Sequence, residues 1–590
     1  MLRLASIAFS ALLCATSMAA TNDDLTTFAE RSRFQRTGRY EEVDKLCHAF
    51  QQRWPQQVRC FEFGRSPEGR TMWALAASAD GTLDAAAART KQRPVILMQG
   101  GIHSGEIDGK DAGFLALREV LEGRAAKNSL AAVTWVFVPV FSVDGHERFG
   151  RWNRPNQVGP EEMGWRTTAQ NLNLNRDYTK ADAPEMQHML RLLNEWDPVL
   201  YADLHATDGA EFEHDISYNI APTFAGDPDL VRTTVAFRDA MVRKAAAAGS
   251  LPVDFYPSFI RDDDPQSGFA VNVGPPRFSQ EYWARRNRIG VLVETHSWKD
   301  YPTRVRITRN AIIHMLELAT TGAGDWQWIA QAADQRDQQL GGKSVPLTFE
   351  NTEHVKTIEF RGYEYTREPS AISGALMTRY NNKKPQIWRI PLRDEIRPAM
   401  TVTAPRGGYV VPAAYADLMR EKLQLHGVDF KEIAGALPKA SVETFRASDV
   451  KRSPTTFEGH TMVSLSGEWQ PETRDIPKGS LFVPIAQRRS QLAMILLEPK
   501  SPDSLVSWGF FNTSFEPKEY MEAYVAEAVG EEMLKKNPEV KKEFERRLAD
   551  DPAFAASPTQ RLEFFYKRSP SWDERLNLYP VYRTELTMNN

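Results

Sequence analysis

Cysteine is scarce. The 590 residues hold three, Cys14, Cys47 and Cys60. Long apolar runs are missing too: after the N-terminus no segment is long enough to cross a bilayer. Charge of either sign is nearly balanced, at a formal net -4, which suggests neither a polyanion partner nor an anionic membrane surface. There is no internal repeat, P-loop or nucleotide-binding glycine pattern, and no basic stripe for nucleic acid. What is present, 42% hydrophobic and 25% charged residues, is the composition of a folded chain, and its length predicts two or three globular domains.

Met1 to Ala20 carries an early Arg3, an apolar stretch from Leu4 to Cys14 and small residues at Ser17, Ala19 and Ala20. That is the layout of a secretory signal, too short for a comfortable membrane anchor, and it predicts a periplasmic or secreted protein with no membrane span after its removal. Leu13 before Cys14 does not suit a lipoprotein cleavage site. The mature chain then keeps Cys47 and Cys60, as one disulfide tying the first helix to the first strand or as two buried thiols.

Four runs without alternation stand out: Pro94 to Met98, Val133 to Phe141, Pro198 to Leu204 and Ile289 to Val293. Such runs between helical segments predict central strands of an α/β sheet covered on both faces. Each ends in polar residues (HSGE, SVDG, HATDG, ETHSW), and in α/β sheets the ligand crevice lies at the carboxyl ends of strands. Arg151 to Lys180 is long, polar and punctuated by Gly and Pro, which marks a functional loop.

In QGGIHSGEIDGK, His103 and Glu106 sit three residues apart on a turn loosened by glycines, so imidazole and carboxylate can reach one divalent cation. His205 in DLHATDG supplies a third ligand. Two His and one Glu leave a fourth zinc position open, as expected of a catalytic site. A base that is not itself a ligand is still needed, and Glu294 in VLVETHSW is the candidate. The bland alternative pairs Glu294 with Arg304 or Arg306, and His296 is a rival ligand.

With GGIHSGEIDG, LNLNRDYTKADAPE, DLHATDG and VLVETHSW in this order between Val58 and Arg306, the chain resembles the zinc carboxypeptidases typified by the pancreatic digestive enzymes. The resemblance implies an α/β fold with a mixed eight-stranded sheet sandwiched by helices, and one Zn2+ per chain on His103, Glu106 and His205. It implies Glu294 as general acid/base, Asn175 and Arg176 as the grip on a substrate's terminal carboxylate, and Arg154, with Arg166 as rival, as the oxyanion arginine. Asn173 stands where many members have an Asp that orients the first His. Tyr256 and Tyr282 are candidates for the substrate-capping tyrosine.

The expected organisation is a signal peptide (1–20), a zinc peptidase domain (21–320), a linker (321–345), a β-rich accessory domain (346–510) and a helical C-terminal tail (511–590). The expected activity is hydrolysis of the C-terminal bond of peptides bearing a free carboxylate. Two alternatives remain: a zinc amidase, deacylase or cell-wall stem-peptide peptidase on the same scaffold, and, from another class, a non-catalytic peptide- or wall-binding protein.

Overall fold

The computed structural model describes residues 25–586, so the segment 1–20 read as a signal lies outside the described residues. Residues 25–336 and 348–400 make one unit, and 337–347 with 401–586 a second.

The strands of the first unit are β1 (Val58–Arg65), β2 (Thr71–Ala77), β3 (Val95–Gly100), β4 (Thr134–Val138), β5 (Leu200–Thr207), β6 (Ile216–Ala221), β7 (Pro252–Val253), β8 (Phe269–Ala270) and β9 (Ile289–His296). All but β8 form one mixed eight-stranded sheet in the order β1-β2-β4-β3-β5-β9-β6-β7. The four apolar runs become its four middle strands, β4, β3, β5 and β9, neighbouring and parallel. Every residue in them is buried, which is why their sequences do not alternate. Being parallel, they end at one edge of the sheet, and the polar tails of all four arrive there together.

Helices follow from the same patterning. Pro184–Trp196 begins with a proline, whose missing N–H costs nothing in the first turn, and buries Met186, Met189, Leu190, Leu193 and Trp196 at helical spacing. Helix Tyr40–Arg53 presents Cys47 to Cys60 of β1, and the two are joined in a disulfide with Cα atoms 5.3 Å apart. Of the two alternatives open for these cysteines, the bridge is the one formed.

The second half departs from expectation in three places. Most of the segment 321–345, expected as a linker, lies inside the helix Tyr301–Asp337. Buried Ala319, Ala323, Trp326, Ala330 and Ala333 continue its inward face past Gly322 and Gly324, so packing overrides two weak helix formers. The hairpin of strands Lys356–Pro369 and Leu376–Arg393, expected in a separate accessory domain, belongs to the first unit. Its Phe360, Trp388, Ile390 and Leu392 form one buried cluster with Phe212, Val253 and Phe269, and Leu392 and Arg393 pair with β8. Finally, QLAMILLE, inside the segment expected to be β-rich, is the helix Ser490–Leu497. Leu492 through Leu497 are buried all round it, and a helix apolar on every face carries no readable period.

The second unit is built on a six-stranded sheet in the order Lys431–Glu432, Leu481–Pro484, Gly408–Val411, Tyr582–Thr584, Leu437–Arg452, Val463–Ile476. The region expected as a helical tail is therefore more than that: among its described residues, Tyr582–Thr584 is a strand inside this sheet. Its helices Pro538–Asp550 and Pro558–Tyr566 contribute to a core of Phe544, Phe554, Phe564 and Phe565. No helix among the described residues is long and apolar enough to cross a membrane.

Two predictions follow from the packing beside β9. Trp388 stacks on Phe360 and donates its indole N–H to the Tyr363 carbonyl. Trp388→Ala should cost about 3–5 kcal/mol, read as a lower denaturation midpoint, and should expose the segment 254–268 to protease. His296, fully buried, bonds through its two ring nitrogens to Ser217 Oγ at 2.8 Å and the His214 carbonyl at 2.6 Å. Burial pushes it down to about 3 from its ordinary 6.5. The unfolded chain therefore takes up this proton first, and the stability held above pH 6.5 drains away as pH falls towards 3. At pH 4.5 the loss is about 2–3 kcal/mol. His296→Gln should correspondingly flatten the fall of Tm between pH 7 and 4.5.

Candidate active site

β3 delivers the first ligand candidates. It ends at Gly100, and Gly101, at φ +62°, turns the chain so that His103 and Glu106 sit between the strand and the helix Asp108–Leu121. Gly105 lies between them, and a Cβ there would fall 2.5 Å from Arg154 Cγ. Only glycine lets the arginine stem pass. Arg154 thereby brings Nη2 to 2.9 Å from Glu106 Oε1.

β5 delivers His205 and β9 delivers Glu294, opposite one another in the ladder. The Nδ1 atoms of His103 and His205 approach the two oxygens of Glu106, at 3.0 and 2.9 Å. One donor atom from each of the three residues lies within 4.8 Å of the others, and all three side chains are buried. Two imidazole nitrogens and a carboxylate converging in this way fit a zinc ion with an open position. Glu294 borders the same cavity, and its buried Oε2 has no hydrogen-bond partner among the described residues, so an acceptor stands ready for a group the protein does not supply.

The far sides of the imidazoles are held differently. His103 Nε2 lies 3.0 Å from Asn173 Oδ1, a neutral partner, whereas His205 Nε2 lies 2.9 Å from the buried carboxylate of Asp203. The sequence reading missed Asp203. Its signal was available: D-x-H on a strand places both side chains on one face.

Burial opposes charge throughout, and the neighbours decide the outcome. Burial works against ionisation of Glu106, but His103 and Arg154 outweigh it and hold the carboxyl well below its usual range. His103 is pushed down by burial. For His205, Asp203 and Glu294 outweigh the burial that would lower it, and it is held well above the ordinary imidazole value. Glu294 is pushed up to about 8, by burial first and then by the nearby Glu106 and Asp203.

The cavity in front of the cluster measures about 340 Å³ and is bordered by His103, Glu106, His205, Glu294, Arg154, Arg166, Asn175 and Arg176. The structure thus brings the three ligand candidates, Glu294, both candidate oxyanion arginines and the Asn175–Arg176 pair to one place. Arg166 Nη1 also reaches Glu106 Oε1, at 3.5 Å, but its side chain is 39% exposed against 8% for Arg154. The Arg176 guanidinium lies 4.6 Å from the centre of the Phe278 ring, and Asn175 Oδ1 accepts from the Ser279 amide. Tyr256 borders the cavity, its hydroxyl 3.0 Å from Thr207 Oγ1, while Tyr282 is buried against Tyr178. The rivals fall away. Arg304 bonds to Asp108 and to the carbonyls of Val158 and Gly159 rather than to Glu294, and His296 binds Ser217 outside the cavity.

Among solved structures, the carboxypeptidase A of Helicoverpa armigera is 18% identical, with 51% of this chain and 75% of that one covered at a TM-score of 0.35. A metallo-carboxypeptidase from Burkholderia cenocepacia is 16% identical, with 47% and 68% covered at a TM-score of 0.35. No curated protein matches the chain. The zinc carboxypeptidase family model matches residues 43–219, a span that holds every site residue named above except those from Tyr256 onward, Glu294 among them. Over that span the chain is similar to the zinc carboxypeptidase family.

Proposed function

We propose that this protein is a zinc-dependent metallocarboxypeptidase that removes the C-terminal residue of peptides, with Glu294 as its general base. The observation that carries the proposal is the convergence of His103, Glu106 and His205 beside a buried Glu294 oxygen with no hydrogen-bond partner among the described residues.

His103 and His205, through Nδ1, and the Glu106 carboxylate would hold the ion. When bound, zinc supplies Lewis acidity, which activates water and polarises a carbonyl. Glu294 takes the proton of the attacking water and returns it to the departing amine nitrogen, from a position bordering the cavity beside the ligand cluster. Arg154, with its stem fixed at Gly105, offers N–H groups to the oxygen on which negative charge develops. Arg176, its plane set by Phe278, and the Asn175 amide grip the terminal carboxylate. This grip confines cleavage to the last peptide bond. The Cys47–Cys60 bridge supports an oxidising compartment, and with it action outside the cytoplasm.

The test compares mature protein with Glu294→Gln on peptides whose C-termini are free or amidated, with wall stem peptides and N-acyl amino acids alongside. Loss of single terminal residues from free-acid peptides only is expected, with kcat lowered about 10²–10⁴-fold in the variant and its zinc content unchanged. Preferential hydrolysis of the acylated amino acids would replace this function by a deacylase. In a chelator competition, Asp203→Asn should weaken zinc retention about 10- to 100-fold by removing the carboxylate behind His205.

A further inference from the structure

Beyond the ligand cluster, the cavity changes character. Leu292 precedes Glu294 by two positions on β9, so both side chains leave the same face, and Asn219 of β6 is the register partner of Leu292. Both border the cavity, as does Gln280 from the short helix Ser279–Ala284. No cavity-lining residue from Asn219 through Leu292 in sequence carries a charge.

The amides here are unspent. Among the described residues the Asn219 side chain makes no hydrogen bond to the protein, and Gln280 accepts only a long one, 3.4 Å, from Ser279 Oγ. The acid nearest this region in sequence, Glu281, lies outside the cavity lining: it is 4% exposed and accepts from the Gly274 amide at 3.1 Å.

We propose that Asn219 and Gln280, above an apolar floor made by Leu292, select a C-terminal residue with an uncharged, hydrogen-bonding side chain: glutamine, asparagine, threonine or serine. This rests on the carboxypeptidase function proposed above and assigns its side-chain preference. The charged lining residues of the cavity, Glu106, Arg154, Arg166, Arg176, Asp208 and Glu294, belong to the ligand and carboxylate-binding side, and a lysine, arginine or glutamate finds no charge to pair with among Asn219, Gln280 and Leu292. A leucine or phenylalanine would meet Leu292, with Ala270, Val271 and Phe278 also bordering the cavity, but would leave both amides without the water they give up. An amide or hydroxyl head satisfies them, and its methylenes cover the leucine.

The experiment uses the zinc-loaded full chain and N-acylated dipeptides ending in Gln, Thr, Leu, Phe, Lys or Glu. The kcat/KM for Gln should exceed that for Leu by about 10-fold and that for Lys or Glu by about 100-fold. Asn219→Leu, and as a second variant Gln280→Met, should invert the Gln-to-Leu ratio, mainly through KM, with circular dichroism and Tm as checks on folding. As a readout independent of turnover, free L-glutamine should raise Tm of the unmodified protein more than L-leucine or L-lysine does. Preference for Lys, Phe or Glu, or a Gln-to-Leu ratio indifferent to both variants, overturns this assignment while leaving the carboxypeptidase function standing. Failure to cleave any free-acid peptide overturns that function and the assignment with it.

Discussion

One buried carboxylate orders this active site. Glu106 has both oxygens engaged by imidazoles and a guanidinium on one of them, and without that positive company its charge would not survive burial. The arrangement reaches outward through fixed contacts. Arg154 needs the bare backbone of Gly105, and His205 needs Asp203 behind it. The two imidazoles are mutually braced, one by an amide and one by a carboxylate, so the pair is electrostatically lopsided before any ion arrives. A site built this way is preorganised by the sheet, since three of its members hang from the ends of adjacent parallel strands.

How much of this was legible follows from what each residue had to satisfy. The middle strands were readable because burial on both faces forces unbroken apolar runs, and the ligands because imidazole and carboxylate must follow those runs closely. Asp203 was hidden in plain sight, two positions before a His on a strand. The long helix past residue 320 was lost because Gly322 and Gly324 look like an ending, whereas the inward alanines and Trp326 decide the matter in three dimensions. Helix Ser490–Leu497 offered no period to read. The segment was read as β-rich, but nothing local announces which core will receive Phe360 and Trp388; that depends on Phe212 and Phe269, far earlier in the chain.

The aromatic cluster under the hairpin has a second role. Phe255 and Phe259 pack against it, and between them lies Tyr256 with its hydroxyl on Thr207. β8, which pairs with Leu392 and Arg393, contributes Ala270 to the cavity wall. A segment remote from the ligand motifs in sequence therefore fixes one wall of the catalytic cleft, and its stability is part of the site's geometry.

The path of the chain has a practical corollary. It leaves the first unit after residue 336, returns at 348 and departs again after 400. A unit assembled from two stretches of sequence cannot be liberated by one cut. Truncation anywhere near the apparent end of the peptidase motifs would discard the hairpin, and a protein shortened in that manner keeps all its ligands while losing the scaffold beneath its cleft. For anyone dissecting this chain, modularity is a property of the fold and not of the open reading frame.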